Sequence, residues 1–416
     1  MVRSLRLWIF NHHAATPGQG TGTRHFDLAT VLARDGAAVT IFAAGFNHFT
    51  GREEQLRGRQ LYRTEVVGGV RFVWLRTVPY HRNDMRRVLS MLSYFLLVLF
   101  VQARFRSPSH VIGSTVHPLA ALAGYLAARA RGAKFFFEIR DLWPQTLIDL
   151  GAIREESAVA RALRWLERLL VERADAVIAV LPGIADYLSE RGVKARRIAH
   201  IPNGVSLLPP AESAPADTTR KLLERIAEWR AGGRFVVAYT GAHAAHNRLG
   251  VVLDAATLLN AEGADHIVFL LVGDGPEKAS LAGRLSANPM NNVFLHAPVP
   301  KADVPHLLAA VDACLVHMTR TPVYRYGISF NKVFDYLASE RPVIFACESK
   351  NDPVREANAG ISIPPDDPRS LASAVVELAR MEPSARRRLG ENGRRYVAAH
   401  HDILRLAARM SEVLHS

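Results

Sequence analysis

Short apolar runs of strand type alternate with segments of helical period along nearly all of this 416-residue chain. Strand signals fall at Leu5–Phe10, Val39–Ala43, Val70–Arg76, His110–Gly113, Lys134–Ile139, Ala176–Val180 and Ile198–Ile201. They resume at Phe235–Tyr239, Ile267–Val272, Val293–Leu295, Ala313–Val316, Val343–Phe345 and Ile361–Ile363. Between them Thr23–Arg34, Pro118–Arg131 and Ala158–Arg173 repeat apolar residues every three and four positions, the spacing of one helix face. A chain that makes a helix between successive strands builds parallel sheets covered by helices on both faces, so the fold class is α/β. The series breaks at Pro202-Asn-Gly-Val-Ser-Leu-Leu-Pro-Pro-Ala-Glu-Ser-Ala-Pro-Ala, a linker composition. Two doubly wound, Rossmann-like domains are expected, 1–205 and 206–397, facing each other across a cleft. A C-terminal helix at about 398–416 is expected to pack back on the first. In such sheets ligands bind beyond the carboxyl ends of the strands, where helix N-termini point outward.

Charge is distributed unevenly over this frame. Residues 1–200 carry 28 Lys+Arg and 16 Asp+Glu, net +12, whereas 201–416 carry 24 and 23, net +1. An excess on one half argues for an anionic partner there, nucleic acid or an acidic membrane surface. Within that half Val88–Ala103 runs sixteen residues without a charge, flanked by Arg82, Arg86, Arg87, Arg104 and Arg106. It is shorter than a bilayer-spanning helix requires. It reads either as a core helix or as a helix lying in the membrane interface with its basic flanks on lipid phosphates. No RRM, KH or helix-turn-helix signature accompanies the arginines, which argues against nucleic acid. The two cysteines, Cys314 and Cys347, lack metal-ligand spacing and fit a reducing compartment. The N-terminal apolar stretch is too short for a signal segment and reads as the first strand.

Three loops are candidates for chemistry. After the first strand, Asn11-HHAATP-Gly18-Gln-Gly20-Thr-Gly22-Thr-Arg24 enters a helix; its GxGxG spacing is not that of a dinucleotide site. Leu271-Val-Gly-Asp-Gly-Pro-Glu277 is a strand end and tight turn, with Gly273 permitting close approach of a ligand. In Tyr324-Arg-Tyr-Gly-Ile-Ser-Phe-Asn-Lys-Val-Phe-Asp335 a Gly-Ile-Ser loop enters a helix whose first turn carries Asn331 and Lys332, so N–H groups, helix dipole and ammonium converge on one anion. Asp335, one turn later, is suited to a ribose diol.

With these go Phe137-Glu-Ile-Arg-Asp-Leu-Trp-Pro144, Ile201-Pro-Asn-Gly-Val205, Val299-Pro-Lys, His306-Leu-Leu-Ala-Ala-Val-Asp312 and Ala359-Gly-Ile-Ser-Ile-Pro-Pro-Asp-Asp-Pro368. Together they resemble the retaining family 4 glycosyltransferases of GT-B fold, and within them the WbuB-like group of surface polysaccharide, O-antigen and capsule synthesis. The resemblance implies transfer of a sugar from a nucleotide-sugar donor, UDP-linked, held by the second domain, to a lipid-linked or saccharide acceptor held by the first. It implies no metal or other cofactor, and a cytoplasmic protein peripheral to the inner face of the cell membrane. Carried onto this chain, it places Gly20, Gly22, Arg248, Gly273, His296, Ser329, Phe330, Asn331, Lys332 and Asp335 at the donor. Thr21, Arg24, His117, Glu138 and Asp141 fall to the acceptor, and Lys332, His117 and Asp141 to the chemistry. His117 precedes Pro118 and has a simple alternative as a helix cap, and Arg140 with Asp141 an alternative as a structural ion pair.

The chain also departs from that family. Gly327 stands where many relatives have a glutamate that touches the donor sugar, and Ala242 and Asn247 where they carry an arginine and a lysine that clamp the pyrophosphate. A non-catalytic nucleotide-sugar-binding protein and a GT-B-shaped epimerase are the competing readings.

Overall fold

The computed structural model describes residues 5–20, 22–48, 50–80, 84–208 and 214–416. Thr21 and Arg82, expected at the acceptor and at a membrane surface, lie outside the described residues. The chain divides into two compact units, Met1–Asn203 with Ile403–Ser416, and Gly204–Asp402.

In the first unit β1 (Arg6–Phe10), β2 (Ala38–Ala44), β5 (Tyr62–Val67), β6 (Val70–Leu75), β7 (His110–Ser114), β8 (Lys134–Ile139), β9 (Ala176–Ala179) and β10 (Ile198–His200) form one sheet. A separate pair, β3 (Phe46–Asn47) and β4 (Arg52–Glu53), lies in the loop after β2. The sheet order is β10-β9-β8-β7-β1-β2-β6-β5, with β1 central and Leu7 opposite both Val39 and His110. Its inner strands are buried on both faces, which is why they read as unbroken apolar runs.

The edge strand β5 is antiparallel to β6 and was not foreseen from the strand pattern. Gly68 and Gly69 sit at φ 58 and 82, the left-handed pair that a two-residue hairpin turn demands. Tyr62–Val67 is largely exposed, so its composition carries no buried-strand signature.

The helix Ile403–His415 packs against the Arg24–Arg34 helix and buries Leu406, Met410 and Leu414 in the core that holds Leu28, Leu32 and Ile201. Three such side chains contribute roughly 1.5–3 kcal/mol each.

The second unit is a parallel sheet of β11 (Phe235–Thr240), β12 (Ile267–Val272), β13 (Val293–His296), β14 (Ala313–His317), β15 (Val343–Ala346) and β16 (Gly360–Ile363). Its order is β13-β12-β11-β14-β15-β16, reversing direction of growth at β11. Apolar clusters cover both faces, and Cys314 and Cys347 are buried free thiols within them. A reversal of strand order opens a crevice at the carboxyl ends of the two strands beside it, here β11 and β14.

Candidate functional site

At the end of β11 the backbone runs through Gly241, and at the end of β12 through Gly273, whose φ is 156. A Cβ on Gly273 would sit 1.8 Å from the Gly241 carbonyl oxygen, so the strand ends themselves require this glycine. Gly273 N–H donates to the His296 carbonyl (3.1 Å), and Lys278 Nζ donates to the carbonyls of Gly273 (2.8 Å) and His296 (3.2 Å). Gly273 and His296 therefore lie together, tied by Lys278.

Lys332 opens the helix Asn331–Ala338 and reaches the end of β11, where Nζ donates to Tyr239 Oη (2.9 Å) and Asn247 Oδ1 (3.1 Å). A Cβ on Gly241 would come 3.2 Å from the same nitrogen. Tyr239 Oη in turn donates to the Ala242 carbonyl (2.7 Å), and Asn247 Nδ2 donates to that carbonyl at 2.9 Å. Both partners are thus oriented with their accepting oxygens on Lys332. Desolvation lowers the Lys332 pKa to about 7, with no carboxylate among its causes. Its two hydrogen bonds use two N–H groups; a third appears only on protonation.

The loop before this helix is held by Asn351, which accepts from Ile328 N–H (2.8 Å) and donates to Ile328 O (3.1 Å). Ser329 is buried, Asn331 exposed, and the cap residue Phe330 supplies no side-chain oxygen to the first turn. Ser329, Phe330, Asn331 and Lys332 are consequently consecutive at one helix N-terminus, with Asp335 half-buried one turn on. Gly327, at φ 93, donates to the Tyr324 carbonyl; a glutamate there would be strained by the backbone alone. Arg248 keeps an exposed guanidinium, 60% accessible. Left-handed at φ 41, it pairs with Asp366 (3.3 Å), while His317 accepts from Asp366 N–H and bonds the Asn247 carbonyl (3.0 Å).

In the first unit Gly20 and Gly22 take φ 94 and 98 in the loop after β1. Two acceptor candidates are corrected. Arg24 and Glu138 are buried against each other (3.0 Å), and Arg24 also donates to the carbonyls of Ile201 and Pro202. Glu138 receives His25 Nε2 (2.7 Å) and Ser114 Oγ (2.6 Å) as well. Burial alone would raise the Glu138 carboxyl, but His25 and Arg24 outweigh it and hold it well below the usual range. Every oxygen of this carboxylate is engaged, so it clamps the fold and has no face for a ligand.

His117 is corrected likewise. It is fully buried and caps the Pro118–Arg131 helix, Nδ1 accepting from Ala120 N–H (3.3 Å), with Nε2 on His12 Nδ1 (2.7 Å). Burial, then His13 and Arg87, keep its pKa well below the imidazole range. Asp141 is exposed and forms no ion pair with Arg140 among the described residues. The histidines His12, His13 and His48, and the polar frame of Tyr239, Asn247 and Asn351, carried no motif; the His-His pair directly after β1 was their one visible signal.

The family comparisons agree with this two-part build. Residues 19–204 match a glycosyl transferase 4-like domain and residues 234–381 a glycosyl transferases group 1 domain. The chain is 24% identical over 316 residues to the probable glycosyltransferase WbjE of Pseudomonas aeruginosa, covering 73% of this chain and 76% of that one. In structure it is similar to the sucrose-phosphate synthase of Thermosynechococcus elongatus (TM-score 0.72, 18% identity, 99% and 98% of the two chains). It is also similar to HepE of Anabaena in complex with UDP (TM-score 0.68, 15% identity, 99% of both). With a glycosyltransferase domain in each unit and the GT-B architecture in both sheets, the chain is a glycosyltransferase of the 4-like and group 1 type.

Proposed function

We propose that the second unit holds a UDP-sugar and that the sugar passes, with retention of configuration, to a lipid-linked or saccharide acceptor of surface polysaccharide synthesis held by the first. The observation that carries the donor assignment is Lys332, whose Nζ is bracketed by Tyr239 and Asn247 at an open helix N-terminus. HepE was solved with UDP, which supports the choice of nucleotide. In the reaction the bond from the anomeric carbon to the β-phosphate oxygen breaks, and a bond to the acceptor oxygen forms on the same face. The acceptor proton goes to the departing phosphate. Negative charge grows on that phosphate, so the Lys332 ammonium and the first-turn N–H groups of the helix stabilise the transition state more than the ground state. No metal or other cofactor is assigned a step.

A second proposal concerns place. The helix Met85–Val101 buries Ser90, Met91, Tyr94, Val98 and Val101, and Tyr94 Oη donates to the Phe42 carbonyl (2.8 Å). Its other face exposes Met85, Val88, Leu89, Leu92, Leu96 (66%) and Phe100 (59%). With its last turn the helix is 20 residues long with mean hydropathy 1.4, enough to cross a bilayer by length and composition, yet its inner face belongs to the core. An apolar stripe on a helix anchored from behind, with Arg86, Arg104 and Arg106 at its ends, suits an acidic lipid surface at the cytoplasmic face of the membrane.

The test of the donor reading is a thermal-shift panel of nucleotides and nucleotide sugars, since a ligand that prefers the native state raises Tm. UDP and one UDP-sugar are expected to stabilise the protein, with the shift abolished in Lys332→Ala. Stabilisation by no nucleotide, or an equal shift in the variant, overturns it.

A further inference from the structure

The recess beside the end of β1 is lined by His12, His13, Gln19, Phe46, Asn47 and His48 among others, with about 20 Å³ of free volume, the room of one oxygen-sized group. Its polar edge follows from a chain of hydrogen bonds whose direction is fixed at one end. A backbone N–H can only donate, and Ala120 N–H, shared between the His117 carbonyl (3.2 Å) and His117 Nδ1 (3.3 Å), sets a lone pair on Nδ1. Neutral His117 then carries its hydrogen on Nε2 and donates it to His12 Nδ1. His12 must therefore carry its own hydrogen on Nε2, and that atom is buried with no partner among the described residues, in a residue 1% exposed. Both ring nitrogens of His13 are likewise buried and unpartnered among the described residues.

The rings are held from the other sides. His12 stacks on Tyr94 (4.6 Å between centroids), His13 on His48 (5.2 Å), and His48 Nδ1 meets Tyr80 Oη at 2.9 Å. Asn47 Nδ2 is spent on Gln19 O and Glu54, and Glu54 also accepts from Thr50. The full charges acting on His12, His13, His48 and His117 come from Arg87, on the Met85–Val101 helix, and at His13 from Arg140, after β8. Both are cationic; Asp141 shares their field, and Glu138 is taken up by Arg24 and His25.

An oriented donor with no acceptor, polarised through His117 by the N-terminus of the Pro118–Arg131 helix and set in a positive field, lacks one thing, an anionic oxygen. We propose that this recess is a phosphate subsite, in which His12 Nε2–H and the His13 ring hold one phosphate oxygen while Arg87 and Arg140 balance the charge. A dianionic phosphate suits two guanidiniums better than a carboxylate does. In the reaction this subsite receives an acceptor that bears a phosphate; that placement rests on the acceptor reading above, whereas the binding itself does not.

The test reads binding without turnover. Full-length protein labelled with ¹⁵N-histidine is titrated with inorganic phosphate at constant ionic strength, with acetate in a parallel arm. The expected result is a His12 ring protonated on Nε2 and phosphate-dependent shifts at His12 and His13, none at His25, and at least a tenfold weaker phosphate affinity at these rings in His13→Ala. That variant removes two unpartnered nitrogens and leaves the buried chain intact, so it is the safer companion to His12→Phe. A His12 proton on Nδ1, unchanged phosphate shifts at His12 in His13→Ala, or a response to acetate and not to phosphate overturns the proposal. Loss of nucleotide binding with these shifts retained would sink the donor reading alone.

Discussion

Nucleotide binding to the second unit should draw a proton from solution, and the count follows from Lys332. Its pKa is lowered to about 7 by desolvation, and its bonded partners among the described residues, Tyr239 and Asn247, are both neutral. At pH 8 such a group is about nine-tenths neutral, and a phosphate beside Nζ returns it toward the ordinary lysine range near 10.4. Binding at pH 8 therefore takes up about 0.9 proton, falling to about 0.5 at pH 7 and about 0.1 at pH 6. By linkage the affinity for UDP should drop about ninefold from pH 8 to pH 9. At pH 8 a nucleotide's terminal phosphate, with its second pKa near 6, is already ionised and adds nothing. Calorimetry in buffers of different ionisation enthalpy measures the uptake directly, and Lys332→Met isolates it from His243 and His246 nearby. The same argument fixes the sign for stability. Free Lys332 is charged below about 7, where its desolvation costs most, so its penalty is relieved as pH rises from 7 toward 10. Buffer-independent binding heats, or an uptake that persists in Lys332→Met, would refute the assignment of the phosphate to this nitrogen.

Three further outcomes are expected. Glu138→Gln strands the buried Arg24 charge and should cost about 3–5 kcal/mol, seen as a fall in Tm of roughly 6–20 °C; an unchanged Tm with lost transfer would return Glu138 to the acceptor. Glu167, buried and bonded by Tyr187 Oη (3.1 and 3.0 Å), has its pKa raised to about 8 by desolvation. The native state thus holds this proton where the unfolded chain has lost it, and stability should decline from about pH 4.5 to pH 8. Denaturant unfolding of Glu167→Gln should show a flatter profile over that window, and an identical slope in both proteins counts against it. Changing Leu89, Leu96 and Phe100 together to Ser should leave Tm within about 2 °C and release the protein from anionic vesicles in flotation, since each exposed side chain is worth about 1.5–3 kcal/mol on burial. Equal flotation would show that the stripe is not the contact.

The fold was readable because buried parallel strands must be apolar on both faces, so β1, β8, β12 and β15 announced themselves. The edge strand β5 did not: it is solvated, its alternation is blurred by Arg63 and Glu65, and only Gly68-Gly69 marks the turn. At the donor side the residues on one continuous segment, Ser329 to Asp335, were legible because a helix start brings neighbours in sequence to one point. Tyr239, Asn247 and Asn351 act through contacts across 93, 85 and 23 positions, which no local spacing encodes. The errors at Glu138 and His117 share a cause. Glu138 lies in the last pleat of β8 and His117 just beyond β7, near the strand ends where ligands bind, but whether a polar side chain there turns outward or into a buried network depends on partners such as Arg24, His25 and His12 from other elements.

The uneven charge acquires a sharper meaning from these placements. The surplus of the first half is not a diffuse basic coat. Arg24 is consumed in the core, Arg86, Arg104 and Arg106 flank the apolar helix, and Arg87 and Arg140 surround the histidines. Burial keeps the His12, His13 and His117 imidazoles neutral, and the nearby cations add to the effect. A neutral imidazole donates a hydrogen bond without needing a proton from solvent. Once the phosphate is itself dianionic, from about pH 8 upward, its binding in the first unit should therefore be indifferent to pH up to 9. The near-neutral second half places one lysine where no bulk charge assists it, and above pH 7 that lysine gains most of its charge only when an anion arrives. The two units bind anions by opposite means, and raising the pH from 8 to 9 should weaken the nucleotide and spare the phosphate.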